Sequence, residues 1–484
     1  MILVLDIGTS VLKGALFEMD GTPLEVGQRA LSLSSSRTNP LYHETDALEW
    51  VRGIRELCAQ FELSSEKKPE AVVVSGNGPT LVPVGSDDRP LHSAILWMDR
   101  RCVEESATIS EISGFYVDPT FYLPKALWFY RHKPEIYGKT KYFFSCSEYV
   151  NYLLTGNAST VLPMEKLRSY IWTEELVSRL GMDWSKFPGF VRPGDAIGQT
   201  TDAAQDLLGI PRGVSVFAGG PDFIVAIIGT ATVAPGRVCD RAGTSEGINL
   251  CTDQTVSDSR LLCMDHVIEG YNSVSGIVST SGKALQWFKE ITGQRETSFE
   301  HLIRDIETIP AGADRLLFLP YLAGERAPIW DPNARGAFIG LTMNHGRREM
   351  TRAVVESVGF AIRDIIEVME ENSLTVDDVR ITGGQARSAQ WVQIKADMTG
   401  KRFLLPVMKD AELTGDLSIA RFGLKHYQTL AEAAEASVQI ERTFEPNREN
   451  KRVYDDLFEV YRESYVGLKE VFRKISEMPQ GGYS

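Results

Sequence analysis

Asp222 follows Gly219, Gly220 and Pro221 and precedes the apolar run Phe223 to Ile228. A carboxylate among residues that leave room for a substrate can accept the proton of an attacking hydroxyl, and the same position suits an aspartate capping a helix. The two roles are compatible. Asp6 closes the apolar run Ile2 to Leu5 and opens the turn Ile7, Gly8, Thr9, Ser10. Its carboxylate suits a magnesium ion held directly or through water beside phosphates, and equally a turn aspartate bonded to neighbouring backbone N–H groups. Lys13, on the segment that returns from this turn, either offsets phosphate charge or alternates outward into solvent. The Gly-Thr-Ser triplet recurs at Gly243, Thr244 and Ser245, and a third glycine turn stands at Gly383, Gly384, Gln385 and Ala386. Glycine lets backbone N–H groups converge on a phosphate, and the Thr and Ser hydroxyls complete the donor set. One such triplet is an ordinary loop. Two of them between candidate strands, with a third turn leading into a helix, point to nucleotide phosphates and to phosphoryl transfer.

The clusters Trp97 to Arg101 and Gly324 to Pro328 combine aromatic and charged groups of the kind used on sugars, a composition that surface ion pairs also produce. His43 and His345 lack partners at ligand spacing, so no structural metal is expected.

These turns need strands and helices to hold them. Val11 to Met19 reads as a returning strand, with Asp20-Gly21 as its hairpin turn. Ala71 to Val74, Val214 to Ala218, Val238 to Ala242 and Val379 to Thr382 are further short strand-like segments that lead into glycine turns. Met350, Val354, Val358, Ile362 and Ile366 recur every four residues, the stripe of an amphipathic helix. Trp391, Ile394 and Met398 place another helix directly after Gly384, so that its first N–H groups face the turn. Alternating strands and helices predict α/β architecture, and the repeated strand-turn-strand opening predicts two related halves. The boundary is expected at Pro235-Gly236, giving domains 1–236 and 237–484, with the last helix, about Val453 to Ile475, packing back on the first half.

Composition narrows the partners. A chain of 484 residues with 43% hydrophobic and 24% charged residues predicts two large domains. No apolar run approaches the ~18 residues of a membrane span, and Met1 to Leu5 lacks a basic leader, so a cytoplasmic protein is expected. Six cysteines without a C-x-x-C pair fit reduced thiols. A net charge of −14 argues against nucleic acid or an anionic membrane as partner and favours a small molecule.

Together these segments resemble the FGGY carbohydrate kinases, within the actin-like ATPases, over nearly the whole chain. Asp6 to Ser10 with Lys13 is similar to the family's first phosphate loop, Ala242 to Ser245 to its second, and Gly219 to Asp222 with Gly229 to the segment carrying its catalytic aspartate. Phe318 to Pro328 and Gly336 to Leu341 resemble its second-domain signature, and Thr382 to Ser388 its adenosine loop. Ala94 to Asp99, Pro124 to Trp128 and Arg131 to Ile136 are nearest to xylulokinases. The substrate loop departs from them: Ser75, Gly76, Asn77, Gly78, Pro79 and Thr80 stand where xylulokinases show Ser-Gly-Gln-Met-His-Gly, and Phe223 stands where an Asn is usual. Asp416, in Glu412 to Leu417, replaces one of the small residues beside the adenosine and is expected to crowd or repel that part of the nucleotide.

The resemblance implies two actin-like (ribonuclease H-like) domains with a nucleotide and substrate cleft between them. It implies an ATP-dependent kinase for a hydroxyl of a small sugar, a ketose such as a pentulose. Another polyol, a keto-acid sugar, or a non-catalytic sugar or nucleotide sensor on the same fold stay open. Asp222 would be the base and Asp6 the magnesium ligand. Gly8, Thr9, Ser10, Lys13, Gly243, Thr244, Ser245, Gly383, Gly384, Gln385, Ala386 and Gly415 would meet ATP, and Asn77, Gly78, Trp97, Asp99 and Asp222 the sugar. The expected partners are that sugar and, for assembly, a second copy in a homodimer.

Overall fold

The computed structural model describes residues 1–32, 34, 35, 39 and 41–478. They form two compact units, Met1–Ala231 with Glu412–Ser437, and Thr232–Ala411 with the segment from Val438 onward.

In the first unit a six-stranded sheet runs β5-β6-β4-β1-β2-β3. Its strands are β1 (Ile2–Ile7), β2 (Val11–Phe17), β3 (Pro23–Ala30), β4 (Ala71–Gly76), β5 (Ala196–Gln199) and β6 (Ser215–Pro221). β1 pairs antiparallel with β2 and parallel with β4, and every one of its residues is buried. That two-sided burial is the reason for its nearly continuous apolar run. The helices that matter to the site are α1 (Tyr122–His132), α2 (Cys146–Thr155) and α3 (Asp222–Gly229).

The second unit repeats the plan. Its seven-stranded sheet runs β9-β10-β8-β7-β11-β12-β13. The strands are β7 (Arg237–Ala242), β8 (Glu246–Thr252), β9 (Leu262–Asp265), β10 (Asn272–Val278), β11 (Asp378–Thr382), β12 (Phe403–Pro406) and β13 (Ile440–Phe444). As with β1, β7 pairs antiparallel with the next strand and parallel with a strand reached much later, β11. The core is closed by α4 (Arg347–Glu371), α5 (Ala389–Thr399) and α7 (Arg448–Glu477), with α6 (Ala411–Gly423) between the last two in sequence. Val354, Val358, Ile362 and Ile366 of α4 are all buried, each contributing roughly 1.5–3 kcal/mol by leaving water.

Two expectations about the units are corrected. The last helix, α7, belongs to the second unit: its Tyr454, Phe458, Tyr461 and Tyr465 are buried, and the Phe360 ring of α4 stacks on Tyr461 at 5.1 Å. The i, i+4, i+7, i+11 spacing of these rings gives α7 one continuous aromatic face for α4. Conversely, Glu412–Ser437, expected in the second domain, belongs to the first unit. Small residues allow this contact. A Cβ at Gly415 would stand 2.1 Å from the Val225 carbonyl oxygen, and one at Gly423 2.5 Å from the Phe217 ring. The division after Ala231 lies close to the expected boundary at 236.

Candidate active site

Sheet register assembles the first cluster. Asp6 faces Lys13 across the β1–β2 pair and Ser75 across the β1–β4 pair. Lys13 Nζ lies 3.9 Å from the Asp6 carboxylate and 3.7 Å from that of Glu412, so this lysine points into the cluster and not outward into solvent. β6 runs parallel to β4 with a bulge that sets Pro221 beside Gly76, which brings Asp222 to the same end of the sheet as the loops after β1 and β4. A Cβ at Gly219 would lie 2.3 Å from the Val74 carbonyl oxygen, so only glycine permits this approach. Asp222 is the first residue of α3, with Pro221 in the cap position, and its Oδ1 accepts the Phe223 N–H at 2.6 Å.

Asp416 joins this cluster through Ser75. It is fully buried within the first unit, and its Oδ2 accepts the Ser75 hydroxyl at 2.6 Å. Burial, reinforced by the charges of Asp6 and Glu412, pushes its carboxyl well above the usual range. Gly415 beside it is accounted for by its contact with Val225.

The expected sugar residues divide. Trp97 is 40% exposed, and its Nε1 donates to Thr9 Oγ1 at 2.9 Å, tying this loop to the first phosphate-loop candidate. Asp99 is buried: it accepts from Arg101 Nε and Nη2 at 2.9 and 2.7 Å and from the His43 N–H at 2.7 Å. Asn77 is also buried, donating to the Ile7 carbonyl at 2.9 Å and accepting from Thr80 Oγ1 at 2.5 Å. Both side chains brace loops: each Asp99 oxygen is bonded twice, whereas Asn77 retains a second N–H.

Lys125, which the sequence reading passed over, clamps the two loops. Its buried Nζ donates to the carbonyls of Pro79 at 2.5 Å and Leu96 at 3.0 Å, next to Gly78 and Trp97. Burial lowers its pKa to about 7, and even the neutral amine keeps two N–H donors for these carbonyls. Lys125→Met leaves both carbonyls without a donor, at about 1–3 kcal/mol each. It is expected to raise the KM for the acceptor roughly tenfold or more while leaving the KM for ATP nearly unchanged. An unaltered acceptor KM in steady-state assays would remove Lys125 from this role.

In the second unit the loop Gly243–Ser245 is braced from below. Its Gly243 and Thr244 carbonyls accept the N–H groups of Gly282 and Lys283 at 3.1 and 3.2 Å. Gly383 has φ +90°, and a Cβ there would lie 2.6 Å from the Ala242 carbonyl oxygen. Gly384 is exposed with open space on its Cβ side. Gln385 and Ala386, expected to face adenosine, are buried: Gln385 Nε2 donates to Ser281 Oγ at 2.6 Å and to Glu246 Oε2 at 3.0 Å.

Beneath this loop lies a fully buried ion cluster that no motif announced. Lys395 Nζ is 3.0 Å from Asp240 Oδ2 and 2.5 Å from Glu246 Oε1. Against the cost of burial, the two carboxylates hold Lys395 charged, and its ammonium keeps Glu246 ionised, whereas burial pushes Asp240 well up. No motif marks these residues in sequence: Asp240 and Lys395 stand among other charged residues of their elements.

A recess of about 570 Å³ in the second unit is lined by Pro310, Arg352, Gln390, Gln393 and Arg442 among others and contains none of the expected site residues. Among the described residues no group of three His, Cys, Asp or Glu side chains is disposed to hold a metal, and no helix is long and apolar enough to cross a membrane.

The repeated sheet plan and the glycine loops at the sheet ends define an α/β phosphotransferase of the actin-like class. Residues 1–229 match the N-terminal domain of the FGGY family of carbohydrate kinases, and residues 241–423 match its C-terminal domain. The chain belongs to that family, as a kinase acting on a carbohydrate hydroxyl. It is 30% identical to a xylulose kinase of Staphylococcus epidermidis, over 97% of each chain. Among solved structures it is similar to a ligand-bound xylulose kinase of Lactobacillus acidophilus, with a TM-score of 0.83 and 25% identity over 98% of this chain and 100% of that one. A gluconate kinase of the same organism also has a TM-score of 0.83, at 25% identity over 98% and 99% of the two chains.

Proposed function

We propose that this chain transfers the γ-phosphoryl group of ATP to a hydroxyl of a pentulose, with xylulose as the first candidate. The observation that carries the reading is the position of Asp222 at the start of α3, at the sheet end that also holds Asp6, Lys13 and the Thr9–Trp97 pair. Asp222 accepts the proton of the substrate hydroxyl as its oxygen attacks phosphorus. Lys13 offsets phosphate charge, and Gly8, Thr9 and Ser10 offer backbone and hydroxyl donors. In the second unit the same task falls to Thr244, Ser245 and Gly384. A buried carboxylate beside a phosphate loop fits magnesium, which binds one or two carboxylates and otherwise phosphate oxygens and water. Asp6 would hold the ion, which when bound neutralises charge on the transferred phosphoryl group. The buried Cys58, Cys102, Cys146, Cys239 and Cys251 suit a reducing compartment, in keeping with a cytoplasmic location.

The names of the relatives support xylulose. The internal commitment of Asn77, and Pro79 in the same loop, favour a second reading in which the acceptor is another polyol or a sugar acid such as gluconate. ADP release measured with ATP and magnesium against D-xylulose, gluconate and glycerol separates these. Xylulose-dependent release well above the sugar-free rate is expected. Equal release without any acceptor would overturn the reading in favour of a plain ATPase.

A further inference from the structure

Tyr122 opens α1, and its hydroxyl occupies the space that a side chain at position 78 would fill. A Cβ at Gly78 would lie 2.9 Å from Tyr122 Oη and 3.9 Å from Pro221 Cβ. The phenol thus reaches the junction of the substrate loop with the segment that leads into Asp222. Its ring is fixed from behind by an edge-on contact with the buried Trp172, centroids 6.1 Å apart. Asn77, Tyr122, Ser145, Glu148, Gly220 and Pro221 border a recess of about 10 Å³ here, room for one oxygen-sized group.

The other polar side chains around that recess make internal bonds, the weakest being that of Ser147, whose hydroxyl lies 3.5 Å from Ser145 Oγ. Asn77 is bonded to Ile7 and Thr80. The two Glu148 oxygens accept the N–H groups of Ser145 and Val161, each at 2.8 Å. The Ser145 hydroxyl caps α2. Among the described residues the Tyr122 hydroxyl has no hydrogen-bond partner, although it is half-buried. Burial, together with the negative charges of Glu148 and Asp222, holds the phenol protonated and therefore able to donate.

We propose that Tyr122 is a specificity-determining residue that contacts the substrate: its hydroxyl donates a hydrogen bond to an oxygen neighbouring the hydroxyl that is phosphorylated. The site then favours ketoses and polyols with oxygens on adjacent carbons. An acceptor lacking that oxygen leaves the phenol unpaired, and a site built to bond an oxygen discriminates strongly against such analogues. The inference rests on Asp222 being the base.

The test compares wild type with Tyr122→Phe, on the most active acceptor of the panel above and on its monodeoxy analogues. Tyr122→Phe is expected to lower kcat/KM about 10–100-fold for the full acceptor. For one deoxy analogue the two enzymes should be equal, and the KM for ATP and the melting temperature should not move. Gly78→Ala provides an independent check, because its new Cβ displaces the hydroxyl and lowers activity. Combining it with Tyr122→Phe, which removes the colliding atom, should then cost no more than Tyr122→Phe alone. An unchanged kcat/KM for the full acceptor in Tyr122→Phe, or equal losses on every deoxy analogue, would overturn the inference while an active wild type leaves the kinase reading standing. A wild type without acceptor-dependent ADP release overturns both.

Discussion

Asp222→Asn is expected to lower the rate of phosphorylation by roughly 10²–10⁴-fold, the span that a positioned general base contributes. The substitution keeps the shape of the side chain, and the amide oxygen can still accept the Phe223 N–H that the carboxylate now accepts at 2.6 Å. The start of α3 therefore survives, and what is lost is the capacity to take a proton. The fall should appear in kcat, with acceptor and nucleotide dissociation constants close to those of the wild type, because nothing in the ground state depends on the charge being transferred. Single-turnover measurement of sugar phosphate, beside calorimetric binding of the acceptor, checks both parts. A variant that turns over at more than about a tenth of the wild-type rate would show that the base is another group.

The second large effect concerns stability. Lys395→Met is expected to destabilise the protein by about 3–5 kcal/mol, the typical cost of breaking a buried ion pair from one side. Asp240, Glu246 and Lys395 are all fully buried, so neither carboxylate can recruit water when the ammonium is removed. Glu246 also accepts from Gln385, and the Gln385 amide bonds Ser281, so the loss reaches the foot of the Gly243–Ser245 loop. Native proteins are stable by only ~5–15 kcal/mol, and a fall of this size shows as a markedly lower urea midpoint or as poor soluble yield. The triple replacement Asp240→Asn, Glu246→Gln, Lys395→Met removes all the charges together and should recover most of the loss. A Lys395→Met midpoint equal to wild type would show the cluster to be dispensable.

Much of this molecule was legible in local pattern. β1, β4, β6, β7 and β11 match short strand-like segments that lead into glycine turns, and their buried positions between paired neighbours are the reason that pattern existed. The four-residue stripe of α4 and the helix after Gly384 follow from periodicity in the same way. Asp6, Lys13, Thr9 and Asp222 stand out as candidates in sequence because glycine and small polar neighbours mark loops able to approach a ligand, and Trp97 because an aromatic ring stands beside charged residues.

Which side chains those loops spend on themselves was not legible. Asn77, Asp99 and Gln385 have the same polar character as binding residues. Only their partners, Thr80, Arg101 and Ser281 among them, show that folding already uses part of their hydrogen-bonding capacity. Asp416 reads as a charge in sequence because a sequence carries no dielectric, and its burial, which pushes the carboxyl well up, appears only in the fold. Lys125 and Tyr122 lay inside an aromatic and apolar helical stretch that reads as core. The sequence by itself determined the elements, the glycine turns and the family, because these depend on local backbone preference and short-range spacing. The tertiary structure alone decided that Glu412–Ser437 joins the first unit, that α7 joins the second, and that Tyr122 reaches Gly78, because those outcomes depend on packing between residues tens to hundreds of positions apart.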